Sequence, residues 1–274
     1  MDAEVGEVRC LGVAEDAEDA ALVVELVVVA VKDGKAHVGG PPGQQVIVSQ
    51  LMADNDKEQR IVEARMKLRE RYKARPAAQP MGAGSPNRHG MPKLPPGQTV
   101  TQGWPVLDLG RQPNVELSKW ELIVDGAVEE PRRFTWQEFR ALPQIKDTSD
   151  FHCVTTWSKM DVEWEGVQLA TVLALARPKP EATHVITHAY DGYSTNLALE
   201  EALKDDVLLV HTAEGKPLPR EHGGPVRIIT PQLYAWKGAK WIHRIEVLTR
   251  DRLGYWELRG YSNSADPWRD DRYS

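Results

Sequence analysis

All nine tryptophans of this 274-residue chain fall at Trp104 or later, together with six of its seven tyrosines. Large aromatic side chains supply much of the area a core buries, so the main core must come from the last ~170 residues. At 41% hydrophobic and 27% charged residues, the chain is globular in class, with length for one large domain and an appendage. A net charge of -6 speaks against a nucleic-acid backbone as the main partner, while leaving room for a local basic pocket that takes a small anion. No apolar run reaches the ~18–20 residues of a membrane-spanning helix. The nearest, Ala21 to Val31, is interrupted by Glu25, and acidic residues precede it where a secretory signal carries positive ones. The one Arg-Arg pair, Arg132-Arg133, lies far from the start. The expectation is a cytoplasmic protein without a membrane span.

Three segments divide the chain. Residues 1–53 form an N-terminal extension in which a β-hairpin around Lys32-Asp33-Gly34-Lys35 and a poorly ordered tail fit equally well. Residues 54–93 combine a charged helix with the start of a Pro/Gly-rich wrapping segment. The helix is expected over 54–75, capped by Asp54 or Asn55, with a thin apolar stripe at Ile61, Val62, Met66 and Leu68. From Pro76 to Pro113 the chain holds eight of its 19 prolines, and proline supplies no N–H, so an extended segment without regular elements is expected.

Residues 94–274 form the main domain. Strand patterns fall at Trp120–Val124, Thr183–Tyr190, Val207–His211, Val226–Thr230 and Trp241–Thr249, with hairpin turns at Asp125-Gly126 and Glu214-Gly215. Short helices are expected at Trp136–Leu142 behind a Thr135 cap, at Leu169–Ala176 and at Leu199–Lys204. The fold class is α+β with mixed sheet.

Two segments carry chemistry. Cys153 lies in Asp150-Phe151-His152-Cys153-Val154-Thr155-Thr156-Trp157-Ser158, and with the other cysteine, Cys10, so far away the two make no CxxC pair and no disulfide framework. A lone cysteine serves as core filler, as nucleophile or as a thiolate ligand for a soft metal. Some 70 residues on comes His222-Gly223-Gly224-Pro225-Val226-Arg227, then a short strand and Tyr234-Ala235-Trp236-Lys237-Gly238-Ala239-Lys240-Trp241. Glycines let backbone N–H groups approach a ligand closely, and Arg227 and Lys240 add charge, so this pattern reads as an anion site. Lys237 is expected to be the exposed lysine of the run. No GxGxxG or GxxxxGK[ST] loop is present.

Together with the tail Gly254-Tyr255-Trp256-Glu257-Leu258-Arg259-Gly260-Tyr261 and Asp266-Pro267-Trp268, these runs resemble the sulfite oxidase superfamily, over roughly Leu94 to Tyr273. The resemblance is to bacterial members without a haem domain. It implies a molybdopterin-binding fold with mixed sheets, a barrel-like core and short helices, and a cofactor of molybdenum and molybdopterin. Cys153 would be the metal ligand, and Tyr193 an active-site phenol that holds an oxyanion or passes a proton. Cofactor binding would fall to His152, Asp191, His222, Arg227, Gly238, Ala239 and Lys240. Gln102 and Trp104, in the wrapping segment, would lie over the pterin.

Sulfite oxidases of this superfamily place arginines where this chain has Ser158 and Thr101. The expected reaction is therefore oxygen-atom transfer with a small-molecule S-oxide or N-oxide, ahead of sulfite-type anion oxidation. A separate protein would donate or accept the electrons. From other classes, a cysteine-nucleophile enzyme and an inactive pterin-binding module stay open.

Overall fold

The computed structural model describes residues 29–32, 35–38, 42–73 and 82–274. Cys10, most of the first 28 residues' apolar run and residues 74–81 of the proline-rich segment lie outside the described residues. The chain divides into two compact units, Met1–Arg65 and Met66–Ser274.

In the first unit, β1 (Val29–Lys32) pairs antiparallel with β2 (Lys35–Val38), Val29 opposite Val38. This pairing is the one the hairpin reading expects; residues 1–28 and the turn residues Asp33 and Gly34 lie outside the described residues. Helix α1 (Pro42–Lys73) has residues in both units and starts twelve residues before the expected cap. Proline at the first helical position costs nothing, because the N–H it lacks would have had no intrahelical acceptor. Asp54 and Asn55 are therefore helix interior and not caps. At its C-terminal end, Arg69 and Lys73 donate to the Ser274 carbonyl at 3.3 and 3.2 Å, and Tyr72 packs on Tyr273.

The segment expected to be wholly irregular contains a small ladder, β3 (Ala83–Pro86) against β4 (Pro92–Leu94), and a two-residue strand, β5 (Thr99–Val100). It then runs without regular elements to the first large sheet. Strands β6 (Glu121–Gly126), β7 (Arg132–Thr135), β10 (His184–Ala189), β11 (Ser194–Ala198) and β15 (Ile242–Leu248) make that sheet, in the order β11-β10-β15-β6-β7. All its pairs are antiparallel except β15 with β6. Asp125-Gly126 ends a strand instead of forming a two-residue turn, since β7 begins only at Arg132.

The second sheet is built on β9 (Trp157–Gln168), which pairs with β8 (Ile145–His152), with β5 and with β12 (Leu208–Ala213). The far side of β12 carries β13 (Lys216–Pro217) and β14 (Arg227–Ile229). The Glu214-Gly215 turn joins β12 to β13 as expected, with φ of 51° and 70°. Neither sheet closes on itself among the described residues, so two open sheets replace the expected barrel-like core.

The short helices follow their local signals. Helix α2 (Trp136–Ala141) starts on a capping box in which the Thr135 hydroxyl accepts from the Glu138 N–H and the Glu138 carboxylate accepts from Thr135. Helix α3 (Leu169–Ala176) buries Leu169, Val172, Leu173 and Ala176, and α4 (Leu199–Ala202) is a single turn. One core cluster, Phe151, Val162, Trp164, Leu208, Val210 and Ile229, lies along the second sheet.

Lys237 is not on the surface. It is 1% exposed, and its ammonium stands 2.8 Å from the equally buried Glu257 carboxylate. Trp236 and Thr195 also donate to Glu257, at 3.1 and 2.9 Å, while Lys237 donates to the Asn196 carbonyl at 3.1 Å. Burial lowers the Lys237 pKa and Glu257 opposes that shift. Removing one partner strands the other as an uncompensated buried charge. Lys237→Ala is expected to lower unfolding stability by about 3–5 kcal/mol, read by urea denaturation; a change near zero would contradict the buried pair.

Candidate cofactor site

The turn between β8 and β9 presents Cys153. The Cys153 N–H donates to the Trp157 carbonyl and the Thr156 N–H to the Cys153 carbonyl, at 2.9 and 3.1 Å. Two side chains fix this turn from outside and one from within. Gln98 donates to the Cys153 carbonyl at 3.1 Å, Arg272 donates to the Val154 carbonyl at 2.5 Å, and the Thr155 hydroxyl lies 3.1 Å from Sγ of Cys153. Arg272 is 1% exposed, with its guanidinium between the rings of Tyr72 and Tyr234. Neither Gln98 nor Arg272 was marked by the sequence, because each acts on a backbone carbonyl more than fifty residues away.

His152 and Ser158 face each other across the same turn, with Nδ1 2.8 Å from the hydroxyl, which donates to Gln98 at 3.3 Å. Ser158 is fully buried. Burial holds the His152 imidazole neutral, its pKa lowered to about 4, and its ring meets Trp268 edge-on.

The second half of the site is a crossing of two chain segments. The Trp241 and Ile242 N–H groups donate to the Gly223 and Val226 carbonyls, and the Ile228 N–H donates to the Ala239 carbonyl. Gly223, with φ of 108°, sits where a Cβ would fall 2.9 Å from Cβ of Lys240 and 3.0 Å from Cβ of Arg227. Only a residue without a side chain lets the stems of those two residues pass so close to it. Arg227, 4% exposed, donates to the His222 and Gly238 carbonyls at 3.1 and 3.3 Å and lies over the Phe151 ring. Lys240 donates to the Glu221 carbonyl at 2.8 Å and lies 3.8 Å from Asp108. Trp104 stacks on His222 with ring centroids 3.8 Å apart and planes 8° from parallel.

The electrostatics are those of a positive pocket. Burial lowers Arg227 to about 10, and burial with the Arg227 charge lowers Lys240 to about 8. His222 is lowered to about 4 by burial and then by those same two cations. Asp191 is raised to about 6 by burial, which Lys240 partly opposes, and its carboxylate accepts from the Tyr193 N–H at 3.0 Å. An anion placed here would relieve the repulsion between Arg227 and Lys240, and Cys153 acts on Arg227 in the same sense.

Among the expected residues, His222, Arg227, Gly238, Ala239, Lys240 and Trp104 thus stand together, with Asp191 at their edge. Gln102 is exposed in the bend before Trp104. The Tyr193 phenol is buried and donates to the Trp236 carbonyl at 2.5 Å, so its proton is already engaged.

Residues 109–256 match the family described as the oxidoreductase molybdopterin binding domain. The chain belongs to that family. It is an oxidoreductase whose cofactor is molybdopterin with molybdenum. It is 40% identical to the uncharacterized oxidoreductase YuiH of Bacillus subtilis, over 66% of this chain and 92% of that one. It is 34% identical to the catalytic subunit MsrP of the protein-methionine-sulfoxide reductase of Gluconobacter oxydans, over 50% of this chain and 49% of that protein. Among solved structures, the sulfane dehydrogenase SoxCD from Paracoccus pantotrophus matches over 51% of this chain and 40% of that one, at 23% identity and a TM-score of 0.47. No helix among the described residues is long and apolar enough to cross a membrane.

The residues present fit such a cofactor. A buried pair of cations held by carbonyls suits its phosphate, and the Cys153 turn presents a soft sulfur donor. Arg227→Ala and Lys240→Ala are each expected to lower molybdopterin content in the purified protein several-fold, while Cys153→Ala retains molybdopterin and loses turnover. Pterin fluorescence after oxidation measures this; full occupancy in both cation variants would move the phosphate elsewhere.

Proposed function

We propose that this oxidoreductase reduces a small S-oxide or N-oxide by oxygen-atom transfer. The observation that carries the reading is the state of Ser158. Its hydroxyl is buried and engaged by His152 and Gln98, where sulfite oxidases place an arginine. At Thr101, the other such position, the backbone N–H donates to the Ser158 carbonyl at 2.9 Å and the side chain is short and neutral. A pocket without these two guanidinium groups holds a sulfite dianion poorly, but a neutral oxide loses nothing. The likeness to a methionine-sulfoxide reductase subunit supports the same direction, although this chain spans about half of that relative's length.

When bound, the molybdenum cofactor supplies the two-electron oxygen-atom chemistry. In the proposal, Cys153 holds the metal, and Arg227, Lys240 and His222 hold the pterin and its phosphate. Asp191, Gly238, Ala239, Gln102 and Trp104 complete the cofactor's walls. His152 orients the Cys153 turn through Ser158. Burial keeps the Tyr193 phenol protonated by raising its pKa well above the ordinary value. Tyr193 therefore serves as a hydrogen-bond donor to the substrate oxygen once it leaves the Trp236 carbonyl, and not as a base. A nucleophilic role for Cys153 is less well supported, since the group 3.1 Å from its sulfur is the Thr155 hydroxyl and neighbouring His152 is turned to Ser158.

Electrons would come from a separate protein, in keeping with the relative's designation as a catalytic subunit, and the cytoplasm is the proposed compartment. The test is a steady-state comparison of sulfoxide and N-oxide reduction by a reduced dye with sulfite oxidation by an artificial acceptor. Two missing bidentate contacts, each about 1.5–3 kcal/mol, predict sulfite turnover weaker than in sulfite oxidases by roughly two to four orders of magnitude in kcat/KM. Sulfite oxidation with a micromolar KM and no oxide reduction would overturn the proposal.

A further inference from the structure

A cleft lies beside His211 on β12. Val210 on β12 stands opposite Arg227 on β14, and residues paired across a ladder share a face. At His211 the register of β12 against β9 breaks, and its ring meets those of Trp136 and Phe139, whereas Val210 packs with Phe151 and Trp164. On the His211 side the structure has a cleft of about 420 Å³, walled by Leu117, Trp136, Arg140, His211, Arg220 and Pro225 among others. That volume falls within the about 300–1,000 Å³ usual for small-molecule sites, which combine apolar walls with a few convergent polar groups.

Its charge is one-sided. Arg140 and Arg220 line the cleft, and no Asp or Glu stands among the described lining residues, in a chain whose net charge is -6. Both guanidinium groups are held by neutral acceptors. Arg220 Nε donates to the Gln112 carbonyl at 3.0 Å, and Arg140 Nη1 contacts both ring nitrogens of His211, Nδ1 at 2.7 Å. The same ring nitrogens meet neutral side chains, Nε2 the Gln144 oxygen at 2.9 Å and Nδ1 the Thr212 hydroxyl at 2.8 Å. Burial, and then the Arg140 charge, lower His211 to about 4, so the ring is neutral at ordinary pH. Two positive charges are thus positioned without being cancelled, beside the indole of Trp136 and the exposed Leu117.

We propose that this cleft binds a small organic anion with a flat apolar body, an aromatic carboxylate in chemical class. Arg140 and Arg220 take the carboxylate, and Trp136 with Leu117 covers the ring. Gly224 and Pro225 form part of the wall, so the ligand rests against the loop that carries His222 and Arg227. The site is distinct from the cofactor's and independent of the oxide-reductase reading.

Calorimetric titration of the purified holoenzyme with 2-naphthoate and with the neutral isostere 2-naphthamide tests the proposal. The expected result is saturable one-to-one binding of naphthoate, about tenfold or more tighter than the amide. Arg140→Gln and Arg220→Gln should each weaken naphthoate about tenfold and leave the amide and the molybdopterin content unchanged. Should the loss of its Gln112 contact unsettle Arg220→Gln, the exposed Arg140→Gln decides alone. Equal affinity for acid and amide, no saturable binding, or wild-type affinity in Arg140→Gln would each overturn the proposal. So would binding abolished by Arg227→Ala, which would place the ligand in the cofactor site.

Discussion

Gly223, by lacking a side chain, lets the side-chain stems of both Arg227 and Lys240 close in on it where their two segments cross. Burial lowers the pKa of both, and at Lys240 the neighbouring Arg227 charge lowers it further. The fold carries this cost because the two segments are tied by backbone hydrogen bonds between residues 223–228 and 239–242. In the proposal, a phosphate at the crossing would turn the repulsion between the two cations into attraction, so cofactor binding would also stabilise the fold locally.

Cys153, the proposed sulfur donor, acts electrostatically on Arg227 at this crossing. Cys153 lies in a turn whose carbonyls are gripped by Gln98, ahead of the core, and by Arg272, near the chain's end. Residues from three distant stretches therefore set one loop geometry. Support of this kind keeps a ligand oriented before its metal arrives. The buried Lys237–Glu257 pair does similar work beneath the site, since Trp236 donates to Glu257 while its carbonyl accepts from Tyr193. That network explains why the phenol points inward.

Much of this was legible in the chain. The Thr135 cap, the Leu169–Ala176 helix, the Glu214-Gly215 turn and the joining of Arg227 and Lys240 follow from local chemistry and spacing, while His222 came from the family resemblance. Strands β8 and β9 were missed, because Lys, Asp, Glu and Ser interrupt any clean alternation; their pairing is decided by the long-range ladder. Lys237 misled for a related reason. A lysine reads as exposed until its carboxylate, twenty residues on, is known to be buried beside it. Ser158 looked like a gap in an anion pocket, and the structure gives it partners of its own in His152 and Gln98. The cleft beside His211 has no sequence signature, since its walls come from five separated segments.

The central claim is that the Cys153 thiolate and the Arg227–Lys240 crossing grip the two ends of one molybdenum cofactor. X-ray absorption at the molybdenum edge tests it most directly, on the purified protein and on Cys153→Ala carrying the same molybdopterin content. The account predicts that the substitution removes one sulfur neighbour from molybdenum while leaving the pterin's own sulfurs in place. An unchanged sulfur shell in the variant would show that Cys153 does not ligate the metal and would contradict the account.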